Sequence, residues 1–113
     1  MNKNQLDLLV ALQDIDLMLK ELDDVKQLGF EVRTEGAEAL QKAREELTQK
    51  IGKPLLGKYE RLRARYKRAI VPVKGDTCLG CFMRLPTYLI THKDKHNQII
   101  TCEGCGRILY WLE

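Results

Sequence analysis

Cys78-Leu79-Gly80-Cys81 and Cys102-Glu103-Gly104-Cys105 stand near the end of a 113-residue chain, twenty residues apart, and contain all four of its cysteines. Two Cys-x-x-Cys pairs at that separation have the spacing of a four-thiolate zinc site. Each pair can form a short knuckle that aims both sulfurs at one ion, and Gly80, Gly104 and Gly106 allow the backbone to turn tightly there. Zinc imposes no d-electron geometry, so four thiolates at about 2.3 Å would close a tetrahedron and leave no position for water or substrate. The expected ion is therefore one structural Zn2+ held by Cys78, Cys81, Cys102 and Cys105.

Other uses of four cysteines compete with that reading. Two disulfides would need an oxidising compartment, and the N-terminus, Met1-Asn2-Lys3-Asn4, enters a charged amphipathic stretch rather than a secretory signal. A thioredoxin-like redox pair needs a βαβ setting that the pattern lacks. Iron in a rubredoxin-type or cluster site uses similar spacing and stays open. No run of eighteen apolar residues is present, so a membrane span is not expected, and reduced cysteines point to the cytoplasm. A tail of about 39 residues is too short to hold a core by burial alone, so the metal must supply on the order of 10–16 kcal/mol.

Upstream of the cysteines the pattern is helical. Leu8, Leu12, Ile15, Leu19 and Leu22 recur at spacings of 4, 3, 4 and 3, which predicts an amphipathic helix over 4–28. Leu6, Val10 and Leu17 form a second stripe beside the first, so this helix should have more than one neighbour. Gly29 reads as the residue that ends it, and Thr34 as the cap of the next. That second helix continues through Ala37, Leu40, Ala43, Leu47 and Ile51. Gly52-Lys53-Pro54 should kink or restart it. The stripe resumes through Leu55, Tyr59, Leu62, Tyr66 and Ala69 to about Ile70. Counting back from the loop sets Gln5 near Lys58, with the residues from Arg61 onward extending past the hairpin.

The tail reads as β-prone at 70–74, helical around Thr87–Ile90, and as two strands, Gln98–Thr101 and Arg107–Trp111, in a small antiparallel sheet. Fold class is thus α+β: an antiparallel helical (coiled-coil) hairpin over 1–70, its second arm kinked near Pro54, then a small C-terminal zinc ribbon over 71–113.

Charge divides sharply along the chain. Residues 1–51 sum to −4, residues 52–74 to +7 and residues 75–113 to zero. On a continuous helix Lys58, Arg61, Arg65 and Arg68 share one face that could neutralise phosphates without sequence preference. A solvated face, or one paired with the acidic first helix, is the plainer alternative. Glu60 reads as an intrahelical partner of neighbouring arginines. Phe82, Tyr88, Tyr110 and Trp111 could stack on bases, although packing over the knuckles is the favoured role for Phe82 and Tyr110. His92 and His96 read as loop residues. No nucleophile, base or open metal position is visible, so no enzyme is expected.

Leu9-Val10-Ala11-Leu12-Gln13-Asp14-Ile15-Asp16, Tyr59-Glu60-Arg61-Leu62-Arg63, the two knuckles, Leu85-Pro86 and Gly106-Arg107-Ile108-Leu109-Tyr110 together resemble the bacterial C4-type zinc ribbon proteins with an N-terminal coiled-coil hairpin. The chain looks like a shortened member. The resemblance implies protein–protein contacts, including with the alternative sigma factor 54 and flagellar export components, and in some members RNA binding. The function classes to weigh are a non-enzymatic adaptor that binds a protein or pairs with a second copy through its hairpin, an RNA- or DNA-binding module, and a thiolate enzyme or redox sensor.

Overall fold

The computed structural model describes residues 2–31, 34–92 and 98–111. Three helices, α1 (Asn2–Gln27), α2 (Thr34–Lys50) and α3 (Lys53–Arg65), lead into β1 (Ile70–Lys74), β2 (Thr77–Cys78), the short α4 (Thr87–Ile90) and β3 (Ile108–Trp111). The architecture is α+β, as expected, and α1 and α2 form the antiparallel hairpin. Its register is fixed near one end by Gln5, whose Nε2 donates to Lys50 O (3.1 Å), and further along by Asp16, which pairs with Arg44 at 2.7 Å. Gly29 closes α1 as its position suggested. The Gly29 and Phe30 amides donate back to Lys26 O and Val25 O, the paired bonds of a left-handed helix terminus, and Gly29 has φ +95°. Capping of α2 by the Thr34 side chain lies outside the described residues.

The second arm restarts at Lys53, one of the two expected outcomes at Gly52-Lys53-Pro54, but the new helix reverses instead of continuing the arm with a kink. Gln5 lies at Gly52 rather than near Lys58, its Oε1 accepting from Gly52 N at 3.0 Å. Tyr59 and Arg44 both reach Asp16, and Arg44 also reaches Glu60 at 2.7 Å. Residues eight places either side of Gly52 therefore meet, and α3 runs back along α1. The break frees the Lys50 carbonyl and the Gly52 amide, and the Gln5 amide satisfies both, so the reversal leaves neither group without a partner. Glu60 is thus an interhelical partner of Arg44, not an intrahelical one.

Helix α3 also stops earlier than its apolar stripe suggests. Tyr66 is extended (φ −127°, ψ 151°), so the helix ends at Arg65 and Arg68 is not on it. The stripe misleads because Tyr66, half-buried, and Ala69, buried, reach the core from extended chain beyond the helix end. Ala69 and Ile70 join Leu6, Leu9, Leu12, Ile51, Tyr59, Leu62 and Ile108 in one core. Leu9, fully buried, fell in neither predicted stripe. The expectation of more than one neighbour for α1 holds, since this core draws on α3 and the sheet as well as the hairpin.

The sheet has order β2-β1-β3 and is mixed rather than antiparallel. β1 and β2 form a hairpin, whereas β1 and β3 pair in parallel from Ile70↔Ile108 to Val73↔Trp111. A parallel pair needs a long crossover, and here the crossover contains both knuckles. The predicted strand over 98–101 reduces to a single bridge, Thr101↔Ile108, with Leu109 N donating to Ile100 O at 2.8 Å. Gln13, the one buried polar side chain among the described residues, ties helix to sheet. Its Oε1 accepts from Ile70 N at 2.7 Å and its Nε2 donates to Ile70 O at 3.0 Å, as a neighbouring strand would.

Candidate metal centre

The two knuckles are built alike. In the first, Cys78 N donates to Met83 O (3.0 Å) and Phe82 N to Cys78 O (2.7 Å). In the second, Cys102 N donates to Arg107 O (2.8 Å) and Gly106 N to Cys102 O (2.8 Å). The residue after each closing cysteine takes the left-handed region, Phe82 at φ +62° and Gly106 at φ +78°. Gly80 and Gly104 serve space rather than backbone conformation, a correction to the sequence reading, since neither has positive φ. A Cβ on Gly80 would stand 2.8 Å from an Arg107 guanidinium nitrogen and 2.9 Å from Val71, and one on Gly104 would meet the Met83 sulfur.

This geometry brings all four predicted cysteines together, with their sulfurs within 4.8 Å of one another. Cys78 and Cys105 sulfurs are 4.0 Å apart, and Cys81 and Cys102 sulfurs 3.6 Å. Four sulfurs set tetrahedrally at about 2.3 Å from one ion stand about 3.8 Å apart, so the donor set fits a single metal ion. The thiol electrostatics agree. Burial raises Cys102, but the Cys105 and Gly104 amides and the neighbouring thiols outweigh it and hold Cys102 at about 7. Burial and the adjacent sulfurs push Cys105 up to about 12, and burial raises Cys78. Crowded thiols resist ionising together, and a bound dication is what allows all four to become thiolates.

Two residues outside the predicted set shape the site. Tyr66 donates its hydroxyl to Cys105 O at 2.9 Å, and the Arg107 guanidinium lies 3.9 Å over its ring. Arg107 thereby sits between the residue that ends α3 and Gly80 of the first knuckle, with its Nε buried and lacking a hydrogen-bond partner. The sequence signal for it was slight: one arginine two places after the last cysteine.

Other candidates divide. Lys58, Arg61 and Arg65 line a cleft of about 470 Å³ with Leu62, Cys105 and Gly106, while Arg68 lies apart, off the helix. Among the described residues the ion pairs are Lys20–Asp24, Asp16–Arg44, Glu60–Arg44 and Asp76–Arg84, so the acids of α1 do not neutralise this cleft. Phe82 is 73% exposed, against the expectation that it packs the core, because its left-handed backbone turns it off the knuckle. Tyr88 is exposed and bonds Glu103, Tyr110 packs against the helical core and Trp111 is buried in the ribbon. His92 is not among the gathered donors, and His96 lies outside the described residues.

The C4-type zinc ribbon family model matches residues 77–109. Those residues are a C4-type zinc ribbon domain. Two solved structures resemble more of the chain. CT398 from Chlamydia trachomatis is 33% identical at a TM-score of 0.60, over 69% of this chain and 34% of its own. The HP0958 protein from Helicobacter pylori is 33% identical at a TM-score of 0.59, over 80% of this chain and 36% of its own. The chain thus spans about a third of the length of these two proteins. No curated protein matches it. No helix among the described residues is long and apolar enough to cross a membrane.

Proposed function

We propose that the protein is a non-enzymatic adaptor of the cytoplasm. One structural Zn2+, held by Cys78, Cys81, Cys102 and Cys105, fixes the ribbon, and the helical hairpin presents a surface for a protein partner. The observation that carries this reading is the exposure of large apolar side chains on the hairpin, Leu28 at 75% and Phe30 at 65%. Surfaces that isolate no core yet expose such residues mark contact sites. Four sulfurs around one ion leave no coordination position for catalysis, which favours a structural role. The resemblance makes sigma factor 54 and flagellar export components the first partners to test.

A second reading, RNA or DNA binding, is favoured by the cleft of Lys58, Arg61 and Arg65 beside the second knuckle. Three cations tracking one groove suit a phosphate backbone and would bind it with strong salt dependence. One comparison separates the readings. Capture from a host lysate is quantified for the wild type, for Val25→Ser/Phe30→Ser and for Lys58→Glu/Arg61→Glu, alongside gel shifts with non-specific RNA at two salt concentrations. The adaptor reading expects capture to be lost only in the first variant. Loss only in the second, together with loss of the gel shift, would replace it with nucleic-acid binding.

A further inference from the structure

Helix α1 is covered along half its length only. Its buried side chains, Leu6, Leu9, Leu12, Gln13 and Leu17, stop at Leu17, where α3 and the sheet cease to pack on it. Beyond that point, among the described residues, no side chain of the hairpin is fully buried until Ile51. Two clefts open there, of about 560 and 430 Å³, and both are lined by Leu22. Leu19, Phe30 and Ala37 line the first, and Met18, Val25 and Leu40 the second. Positions 18, 22 and 25 follow helical spacing, and the seam between two helices accepts the ridge of a third.

Charge selects what fits. Residues 14–42 carry eight acidic side chains against four basic ones. Among the described residues, Glu21, Asp23 and Glu31 edge the two clefts against one cation, Lys26. A second copy docked by this face would set that acidic rim against itself.

We propose that the distal half of the α1–α2 hairpin docks a basic amphipathic helix of a partner protein, which completes there the layer that α3 supplies at the other end. This rests on the adaptor reading and names the chemical class of its partner. The helix lays an apolar stripe over Leu22 and turns lysines or arginines toward Glu21, Asp23 and Glu31.

The test uses the metal-loaded full chain and three labelled three-heptad peptides, read by fluorescence anisotropy. The first has leucine at a and d with lysine elsewhere, the second replaces lysine by glutamate, and the third scrambles the first. The leucine–lysine peptide binds, and both the glutamate and scrambled peptides bind at least about tenfold more weakly. Val25→Ser/Phe30→Ser, whose targets are exposed, keeps the wild-type helical ellipticity and weakens the first peptide by about tenfold. Equal binding of the scrambled or glutamate peptide, or no effect of the double variant, overturns the proposal. If instead the unliganded chain sediments as a dimer that the double variant dissolves, a second copy is the occupant and the basic helix is wrong, while the hairpin remains a contact surface. The adaptor reading itself fails only if lysate capture also survives the double variant.

Discussion

At the scale of single residues, the two knuckles set up an internal comparison. Gly106 and Phe82 occupy equivalent places with φ near +78° and +62°, yet one side chain is absent and the other is a full ring. A non-glycine residue held there stores on the order of 1–3 kcal/mol. Space does not decide the outcome at Gly106, since a Cβ there would meet nothing within 4 Å. Gly106→Ala should therefore lower the stability of the metal-loaded protein by about 1 kcal/mol through backbone strain alone. Phe82→Gly should raise stability or leave it unchanged, because the exposed ring contributes little burial to set against the strain. Thermal midpoints measure both, a shift of several degrees corresponding to about 1 kcal/mol in a protein of this size. A clear loss on Phe82→Gly would show that the ring packs on something its 73% exposure does not reveal.

Tyr59 carries a second residue-scale prediction. Its side chain is fully buried and its hydroxyl donates to Asp16 at 2.6 Å. Burial first, then the bond to Asp16, pushes its ionisation well above the ordinary tyrosine range. Above pH of about 10 the unfolded chain releases this proton while the folded one keeps it. Stability is then lost with rising pH, at about 1.4 kcal/mol per unit for this one group. Tyr59→Phe should flatten that part of the urea-midpoint profile against pH. Parallel profiles for the two proteins would mean that the hydroxyl reaches solvent.

At the scale of elements, the helices and the knuckles were legible and their mutual arrangement was not. Apolar spacing located α1 and α2, and Gly29 marked the turn between them. The same spacing carried α3 through to Ile70, since periodicity records that Tyr66 and Ala69 face the core without saying on what backbone they reach it. Reversal at Gly52 was hidden because Gly-Lys-Pro permits either a kink or a new start, and the choice is made by Gln5, forty-seven residues away. The parallel β1–β3 pairing was equally out of reach, since it depends on how the knuckles fold the crossover. The four sulfurs were legible in full, because spacing and ligand chemistry are local; Arg107 and Tyr66 were not, because they come to the site through packing. Gln13 belongs to this level, as the contact that orients α1 on β1. Gln13→Leu leaves the Ile70 amide and carbonyl buried without partners, at about 1–3 kcal/mol each. The expected total loss is about 2–6 kcal/mol by urea denaturation. A loss below about 1 kcal/mol would mean that water reaches the strand end.

At the scale of the whole molecule, metal and helices share one fate. Ile108 follows the second knuckle by three residues and lies fully buried among Leu6, Leu9, Leu12, Tyr59 and Leu62. Ala69 and Ile70 join the same core, Gln13 holds Ile70, and Tyr66 holds the Cys105 carbonyl. Releasing the knuckle frees β3, withdraws Ile108 from the helices and removes the partner of β1. A four-thiolate ion contributes on the order of 10–16 kcal/mol, as much as the whole 5–15 kcal/mol by which a domain of this size is stable. A strong chelator should therefore melt the helices along with the ribbon. Trp111, buried in the ribbon cluster, reports one end, and ellipticity at the helical band reports the other. With increasing chelator the two signals should fall together with one midpoint. A helical signal that persists after the Trp111 signal has gone would mean that α1, α2 and α3 hold their core without Ile108, and that the ion stabilises the ribbon alone.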